Sequence, residues 1–590
     1  MKKLFAMLLA LVMVMSLVAC GGNNAGGNTT TETPSTSETP STPTTPETPV
    51  VEEYTGPKDY RGWTTSRATF NPHMYTNSKT MMNYGTLVAA MSVDDELAWI
   101  PHHASEMPVT NDGGITWNIK IRDGLTFSTG TTLDATDYEY SMKMLLDPKL
   151  VNKNATYLFD PVVILNAKEY FEGNCTWEEV GIKALSANEL QIVLKYPATE
   201  IDFLSTICSL IWPVEEETYE ACMNADRTST TYGTTVESVV SCGMFTLTEW
   251  VTDGYETYVR NDNDPLVQEG YVFLDSYNAR YISQNSTRAE MFWAGELDNH
   301  SLTGDDYVQY KNDPRAHSLL SPNVWGFFMN GASKNPIMQS QDFRNAVHYG
   351  TPRERICEDV YKLYPAAPAI VSTGIYTGDT YYRETERAKE IAAKYASNET
   401  LALELFEKAY AEYSSEYADG KVSVEYIYFE GQEDQKRQAE ILQESLENLF
   451  GKERFELTLR AMPPASAYDA YRAGDYDLGL GVRLANAFNP WATMNVWTTG
   501  YADPYQTGFA SDEFDQLQYN SMYGDIATDD AAKVEALARM EEMLLEYGAF
   551  CPVMQNDNCV MYHERIELAS DVYLPLIGFN TNQINITAAP

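Results

Sequence analysis

The chain has 590 residues, with 84 acidic against 41 basic side chains and a formal net charge of −43 at pH 7. This excess of negative charge argues against binding to nucleic acid or anionic lipid, and we interpret it as solubility at a cell surface rather than as a sign of a cationic ligand. The length exceeds what one hydrophobic core supports, so two lobes are expected.

The N-terminal segment has the pattern of a secretory signal. Lys2 and Lys3 precede an apolar run over residues 4–19, which is short for a membrane span and suitable for a signal h-region. The run ends in L-V-A-C-G-G, which resembles a bacterial lipobox. We therefore assign residues 1–20 to a lipoprotein signal peptide with Cys20 as the lipidated residue. An ordinary signal peptide with an incidental cysteine is the alternative.

Residues 21–53 are rich in Gly, Asn, Thr, Ser and Pro and contain almost no large apolar side chain. Such a segment cannot bury enough surface to offset its ordering entropy. At roughly 3.1 Å per residue, an extended proline-rich segment of this length reaches on the order of 100 Å. We predict a disordered tether between a membrane anchor and a folded body.

Residues 115–148 predict a β-hairpin that leads into a helix. Apolar residues alternate with polar ones at Ile115, Trp117, Ile119 and Ile121, as in a half-buried strand. Asp123-Gly124 supplies a turn, because glycine accepts a positive φ without steric cost. Asp134 is a candidate N-cap for the helix, and Pro148 cannot continue it.

The rest of the body interleaves strand and helix patterns. Alternating stretches at residues 189–196, 255–260 and 422–428 predict strands. Residues 433–450 and 530–547 predict long helices, each closed by a glycine. No second apolar run is long enough to span a membrane. The interleaving indicates an α/β body with mixed sheets.

Seven cysteines remain once Cys20 is set aside. Cys551 and Cys559 flank a predicted turn, so one disulfide there and buried free thiols are both consistent with the sequence. No pair has C-x-x-C spacing, which disfavours a zinc ribbon or thioredoxin-type chemistry.

Several segments, in this order along the chain, resemble the motifs of the family 5 extracellular solute-binding proteins, the peptide-binding type that serves ABC importers. The similar segments are residues 69–73, 117–148, 242–250, 294–298, 326–347, 471–478 and 552–553. The stretch at 117–148, W-N-I-K-I-R-D-G-L-T-F-S-T-G, is the most specific of them, and the resemblance covers about residues 60–565.

The resemblance implies a bilobed, periplasmic-binding-protein-like fold of the class II (cluster C) type, with mixed sheets and a hinge between the lobes. Lobe I is expected at residues 54–285, with an extra subdomain at about 100–200. Lobe II is expected at residues 286–549, and residues 550–590 are expected to return to lobe I.

The implied function is that of a lipid-anchored receptor on the extracellular face of the bacterial membrane. It would capture peptides or peptide-like solutes as a monomer, without a cofactor, and pass them to ABC permease and ATPase subunits. Three alternatives stay open. The same fold could bind an oligosaccharide, an anionic small molecule or a metal complex; the chain could be a surface sensor or chaperone-like binder; or it could be a secreted hydrolase. The chain has no G-x-S-x-G, H-E-x-x-H, P-loop or G-x-G-x-x-G motif, so we expect no enzymatic activity.

Two candidate ligand residues follow the strand at about residue 478. Peptide-binding members of the family place an aspartate in an A-D-x-x-x-P stretch to meet the peptide ammonium, and here Asn486 occupies that position. An amide carries no charge, so recognition of a free amino terminus is in doubt. Arg483 occupies the position of a family tryptophan, and its guanidinium would suit a carboxylate or phosphate. A solvated arginine and a loop asparagine are the alternative interpretations.

The resemblance adds four further candidates for ligand contact. Trp325 and Trp491 lie in segments that face the cleft in relatives, although tryptophans at such positions more often belong to the core. Tyr75 and Asn77 follow the N-P-H segment through which relatives bring lobe I to the ligand.

His102 and His103 form the only histidine pair in the sequence. Adjacent residues cannot share a helix face, and no third ligand has metal-site spacing. We predict a loop here rather than a metal or haem site.

Overall fold

The computed structural model describes residues 54–75, 78–502, 504–579 and 581–589. The predicted signal peptide, Cys20, the predicted tether and Asn77 lie outside the described residues. Within these ranges, no helix combines the length and the apolar character that a membrane crossing requires.

Strands and helices alternate along the chain. The strands are β1 Asp59–Thr64, β2 Val88–Val93, β3 Glu96–Pro101, β4 Val109–Thr110, β5 Thr116–Lys120, β6 Ile182–Ser186, β7 Glu189–Val193, β8 Phe245–Val251, β9 Tyr255–Arg260, β10 Ser276–Tyr281, β11 Asn299–Ser301, β12 Ala316–Leu319, β13 Val324–Met329, β14 Val422–Phe429, β15 Phe455–Met462, β16 Leu478–Arg483, β17 Phe550–Gln555, β18 Asn558–Tyr562, β19 Ile566–Glu567 and β20 Asn585–Ile586. The α-helices are Ser78–Tyr84, Ala135–Leu145, Ala167–Phe171, Glu200–Phe203, Glu216–Ala221, Pro265–Gln268, Asn285–Trp293, Gly304–Tyr310, Gln341–Gly350, Arg353–Ile356, Glu386–Lys394, Glu399–Tyr413, Glu433–Phe450, Pro464–Ala473, Pro490–Thr493, Asp512–Tyr523 and Asp530–Tyr547.

One hydrophobic core is built by the N-terminal half of the body together with its C-terminal end. Its sheets have the strand orders β1-β10-β9-β8 and β4-β5-β7-β6, and the hairpin β2-β3 lies beside them. The buried side chains of this core come from residues 60–279 and 560–586. We call the body around this core lobe I.

A second core surrounds a five-stranded sheet of order β15-β14-β16-β13-β17. β14 is parallel to β15 and β16, whereas β13 is antiparallel to both its neighbours. The buried side chains of this core all lie between residues 324 and 554. We call the body around it lobe II. The chain leaves lobe II along β17 and turns directly into β18, which pairs with β11 and β12.

Local sequence signals locate most elements correctly. Asp134 caps helix Ala135–Leu145 in a reciprocal capping box with Asp137, an arrangement worth about 1 kcal/mol. The two long predicted helices are present as Glu433–Phe450 and Asp530–Tyr547.

The predicted hairpin at Asp123-Gly124 is wrong in its pairing. β5 pairs with β7, Trp117 lying opposite Ile192, and not with the segment that follows Gly124. The tight reversal comes later, where Thr126 bridges to Thr132. Long-range pairing prevails because β7 covers an apolar strand that a two-residue reversal would leave half exposed.

The cysteines of the described residues are free thiols. Cys551 and Cys559 lie on β17 and β18, and both are buried. The disulfide alternative is therefore wrong for this pair, and the free-thiol alternative holds. Burial raises the pKa of both thiols, so they are poor nucleophiles.

Candidate functional site

A cavity of about 850 Å³ lies between lobe I and lobe II. Lobe I contributes the start of β3, Met107 and helix Glu200–Phe203, and lobe II contributes the loop 376–381 and Asp530. Segment 572–575, near the C-terminus, completes the wall. A volume of this size accommodates a small molecule or a short peptide.

The β2-β3 hairpin places acidic residues at the edge of the cavity. Asp94 and Asp95 form its turn with positive φ angles of 52° and 63°, a conformation that aspartate tolerates better than most residues. The Asp95 carboxylate accepts a hydrogen bond of 2.8 Å from Ser570 Oγ, which ties the hairpin to the C-terminal segment. Glu96 and Trp99 follow on β3 and line the cavity.

Two tyrosines of lobe II are fixed in the cavity wall by hydrogen bonds. The Tyr376 N–H donates to the carbonyl of Ala487 at 2.7 Å. The Tyr381 hydroxyl donates to the carbonyl of Tyr573 at 3.0 Å. Gly378, with φ of +98°, turns the loop between them and leaves Asp379 at its exposed tip. The rings are thus held in position before any ligand arrives.

The cavity lining is acidic. It includes the carboxylates of Asp95, Glu96, Glu200, Asp379 and Asp530, while no lysine, arginine or histidine of the described residues lines it. Burial raises the pKa of Asp530, and repulsion from Asp202 and Asp379 adds to this rise against the opposing effect of Lys533. Burial, then Asp379 and Glu96, also raises the pKa of Tyr376. Carboxylates of both lobes therefore act on the same space.

A buried ion pair joins the two lobes beside the cavity. The Nζ atom of Lys533 lies 2.9 Å from Asp202, and their side chains are only 2% and 8% exposed. Asn489 Nδ2 donates to the other oxygen of Asp202, Oδ1, at 3.1 Å. Thr199 Oγ1 donates to Oδ2, the oxygen that Lys533 contacts, at 2.8 Å. The Lys533 ammonium also lies 4.3 Å from the ring centre of Trp491. We call Asp202, Lys533 and Asn489 the interlobe latch.

Arg483 ends β16 and does not line the cavity. Its guanidinium carbon lies 5.1 Å from the Trp497 ring, 5.6 Å from Phe328 and 6.0 Å from Tyr505. Burial among these rings lowers the pKa of Arg483 to about 10. The structure thus places a cation against aromatic faces of lobe II.

Asn486 lies in the loop that follows β16, and its side chain is exposed. Its Oδ1 accepts the backbone N–H groups of Phe488 and Asn489 at 2.9 and 3.1 Å, which fixes the turn. The Phe488 ring then packs 5.6 Å from Tyr376 and 6.4 Å from Trp99, both of which line the cavity. The loop of Asn486 therefore supports the cavity wall from behind.

The other predicted residues that the structure describes also lie off the cavity. Trp491 is buried beside the latch, where its Nε1 donates to the Lys533 carbonyl at 2.6 Å. Trp325 packs half-buried against the core of lobe II, and Tyr75 is 39% exposed in lobe I. The role of each in ligand binding stays a prediction. No local pattern in the sequence identifies Glu96, Trp99, Asp379 or Asp530, because six separate segments of the chain build the wall.

His102 and His103 are buried at the end of the β2-β3 hairpin, and with Asp264 their ligand atoms lie within 4.8 Å of one another. His102 Nε2 lies 2.7 Å from Asp264, and its Nδ1 accepts the N–H of Thr86. Every ring nitrogen is engaged, since His103 contacts the Tyr138 hydroxyl and the Cys242 carbonyl. Burial lowers the pKa of His103 to about 3, which keeps the ring neutral. The pair serves as a core hydrogen-bond network.

Comparison with known proteins identifies the family that this sequence matches. The profile of the bacterial extracellular solute-binding proteins, family 5 (middle region), matches residues 98–504. The dipeptide-binding protein DppE of Bacillus subtilis is 23% identical over 469 residues, or 79% of this chain and 80% of the relative. The oligopeptide-binding protein OppA of the same organism is 27% identical, over 46% of this chain and 48% of the relative.

Solved structures show the same fold. The substrate-binding domain of an oligopeptide ABC transporter from Bacillus anthracis has a TM-score of 0.66 at 19% identity, covering 91% of this chain and all of that one (100%). The murein tripeptide binding protein MppA of Escherichia coli has a TM-score of 0.64 at 17% identity, covering 90% of this chain and 99% of its own. The predicted bilobed α/β fold with mixed sheets is confirmed.

Proposed function

The chain belongs to the family 5 bacterial extracellular solute-binding proteins, and from this premise we propose that it captures peptides or peptide-like solutes for an ABC importer. Family membership makes it a binding protein rather than an enzyme. The peptide assignment is supported by the names of its relatives, which include dipeptide- and oligopeptide-binding proteins. The observation that carries the proposal is the cavity of about 850 Å³ with walls from both lobes.

A cavity with walls from both lobes couples binding to closure. A ligand that contacts lobe I and lobe II together stabilises the closed arrangement by the contacts absent from the open one. A permease that prefers the closed form would then receive only loaded protein. The interlobe latch is a contact between the lobes that does not depend on the ligand.

The domain limits belong to the proposal too. Lobe I would comprise residues 54–285, including the subdomain at about 100–200, and lobe II residues 286–549, with 550–590 returning to lobe I. Supporting this division, the two cores take their buried side chains from separate stretches of the chain. We propose the hinge where the chain crosses between the two lobes.

We further propose attachment to the outer face of the bacterial membrane through a lipid on Cys20, with residues 21–53 as the tether. The basis is the L-V-A-C-G-G sequence and the tether composition. The protein would act as a monomer that docks on permease and ATPase subunits. Metabolic labelling with a radioactive fatty acid tests the anchor, since Cys20→Ser should abolish incorporation; equal labelling of the variant would refute it.

Six residues remain proposed ligand contacts: Tyr75, Asn77, Trp325, Arg483, Asn486 and Trp491. The best supported part of this set is the Asn486 loop, since Phe488 packs on Tyr376 and Trp99 of the cavity wall. A ligand that fills the cavity would rest against the side chains that this loop supports.

A thermal-shift screen with short peptides tests the function. A ligand that binds only the folded state stabilises it by RT ln(1 + [L]/Kd), about 2.7 kcal/mol at a hundredfold excess over Kd. We expect stabilisation by at least one peptide class, with the same peptide recovered intact by mass spectrometry. Cleaved peptide, or stabilisation by sugars but by no peptide, would contradict the proposal.

A further inference from the structure

The charged side chains of the cavity wall are all acidic, and they come from both lobes. Lobe I contributes Asp95, Glu96 and Glu200, and lobe II contributes Asp379 and Asp530. The site itself is the cavity, defined by its volume and its two-lobed wall. The carboxylates determine which ligand charge that cavity favours.

These five carboxylates have no cationic partner of their own. Within the described ranges, none of the ion pairs of the protein includes any of them, although many other acidic side chains are paired. The nearest candidate cation to Asp530 is Lys533, which instead contacts Asp202 at 2.9 Å and lies over the Trp491 ring. The wall therefore keeps its negative charge available to a ligand.

Carboxylates of both lobes act on the cavity. In addition to burial, Asp379 raises the pKa of Asp530 within lobe II, and Glu96 of lobe I raises the pKa of Tyr376 across the interlobe boundary. Like charges approaching in a partly desolvated space oppose closure. A cation between the carboxylates replaces their mutual repulsion by attraction to the cation. This attraction involves both lobes only in the closed form.

The uncharged part of the wall suits a cation as well. Trp99, Tyr376, Tyr381 and Tyr573 line the same cavity. Aromatic faces attract ammonium and guanidinium groups through the ring quadrupole. Carboxylates and rings together form a surface that favours ligands with positive charge and disfavours acidic ones.

We propose that the cavity selects ligands carrying at least two positive charges, most simply short peptides with lysine or arginine side chains in addition to a free amino terminus. This inference rests on the proposed function, because it takes the interlobe cavity as the ligand site. A free polyamine has the same chemistry, so the test must separate the two sources.

Isothermal titration calorimetry of the full chain in detergent, with four probes, performs that test. The probes are Lys-Ala-Lys, Ala-Ala-Ala, Glu-Ala-Glu and spermidine. We expect Lys-Ala-Lys to bind at least tenfold more tightly than Ala-Ala-Ala at low ionic strength, with Glu-Ala-Glu weakest. The ratio should shrink in 0.5 M salt, roughly where the screening length falls below 5 Å.

A double variant, Asp379→Asn with Asp530→Asn, should remove most of the preference for Lys-Ala-Lys over Ala-Ala-Ala. The matched control, Glu290→Gln with Glu404→Gln, changes two exposed carboxylates that lie away from the cavity and should leave the ratio intact. Glu96→Gln gives an independent check from lobe I.

The outcomes separate the inference from the function. Equal affinity for all three peptides, or an unchanged ratio in the double variant, overturns the charge inference and leaves the peptide function standing. Tight binding of spermidine with no binding of any peptide supports the charge inference and overturns the peptide function. Binding of none of the four probes overturns both.

Discussion

Two acidic regions lie side by side between the lobes and treat charge in opposite ways. In the interlobe latch, Asp202 is buried and paired with Lys533 at 2.9 Å, and Asn489 satisfies its other oxygen. In the cavity, none of the five carboxylates forms an ion pair with a cationic side chain of the described residues. The latch is complete without a ligand, whereas the cavity becomes electrostatically balanced only when a cation enters it.

The difference indicates a division of labour. A buried ion pair with satisfied hydrogen bonds fixes how the lobes meet, because misalignment leaves a desolvated charge. Unpaired like charges around a cavity repel one another and therefore oppose the approach of the two lobes. Lobe closure thus combines a permanent contact with a ligand-dependent one, and each can be altered separately.

Removing one partner of the latch should have the largest effect. Asp202→Ala leaves Lys533 buried without its carboxylate, and we expect a loss of about 3–5 kcal/mol in unfolding free energy, measured by urea denaturation. The double variant Asp202→Leu with Lys533→Met removes both charges and should recover most of this loss. If the double variant is as unstable as the single one, the ion pair is not the source of the effect.

Reversing one charge in the cavity should have the next largest effect, on binding rather than stability. Asp379 is exposed at a loop tip, so Asp379→Lys should fold normally. We expect it to weaken binding of Lys-Ala-Lys about a hundredfold, close to 2.7 kcal/mol, through lost attraction and added repulsion. Calorimetry measures this, with Glu404→Lys as the control; a change below threefold would show that the cavity charge does not reach the ligand.

Local signals on single residues account for much of the fold. Both ends of helix Asp530–Tyr547 can be predicted from single residues. Asp529 caps the first turn with its side chain, and Gly548 ends the helix because it accepts a positive φ. The pairing of β5 with β7 could not be predicted, since an alternating pattern identifies a strand without naming its partner.

The site was less predictable than the fold. Family position pointed to Asn486, and the loop that contains it does support the cavity wall. The latch joins residues 331 positions apart in the chain, and neither Asp202 nor Lys533 belongs to a motif. Contacts of this kind depend on how two lobes meet, which no local pattern encodes.

A smaller effect is expected at the loop behind the cavity. Asn486→Asp keeps the oxygen that caps Phe488 and Asn489, so the turn should persist, and it adds one negative charge. We expect binding of free-amino peptides to tighten about fivefold, or roughly 1 kcal/mol, with no gain for the N-acetylated peptides. No gain for any free-amino peptide by calorimetry would remove Asn486 from the proposed site.

The smallest expected effect is on pH dependence. Because the pKa of Asp530 is raised in the folded protein, this group takes up a proton at a higher pH than in the unfolded chain, and a cation would lower its pKa again. The preference for Lys-Ala-Lys over Ala-Ala-Ala should therefore decline as the pH falls toward the raised pKa of Asp530, starting at a higher pH than for an ordinary aspartate. Asp530→Asn should flatten this decline; an identical pH profile in the variant would assign it to another group.

Hydrogen–deuterium exchange of the full chain, with and without the tightest-binding peptide, tests most directly whether one ligand closes both lobes. We expect slower exchange at residues 95–107 and 199–204 of lobe I together with residues 376–381 and 530–533 of lobe II. The protection should appear in both lobes over the same range of ligand concentration. Protection confined to one lobe, or located away from these segments, would contradict capture between the lobes.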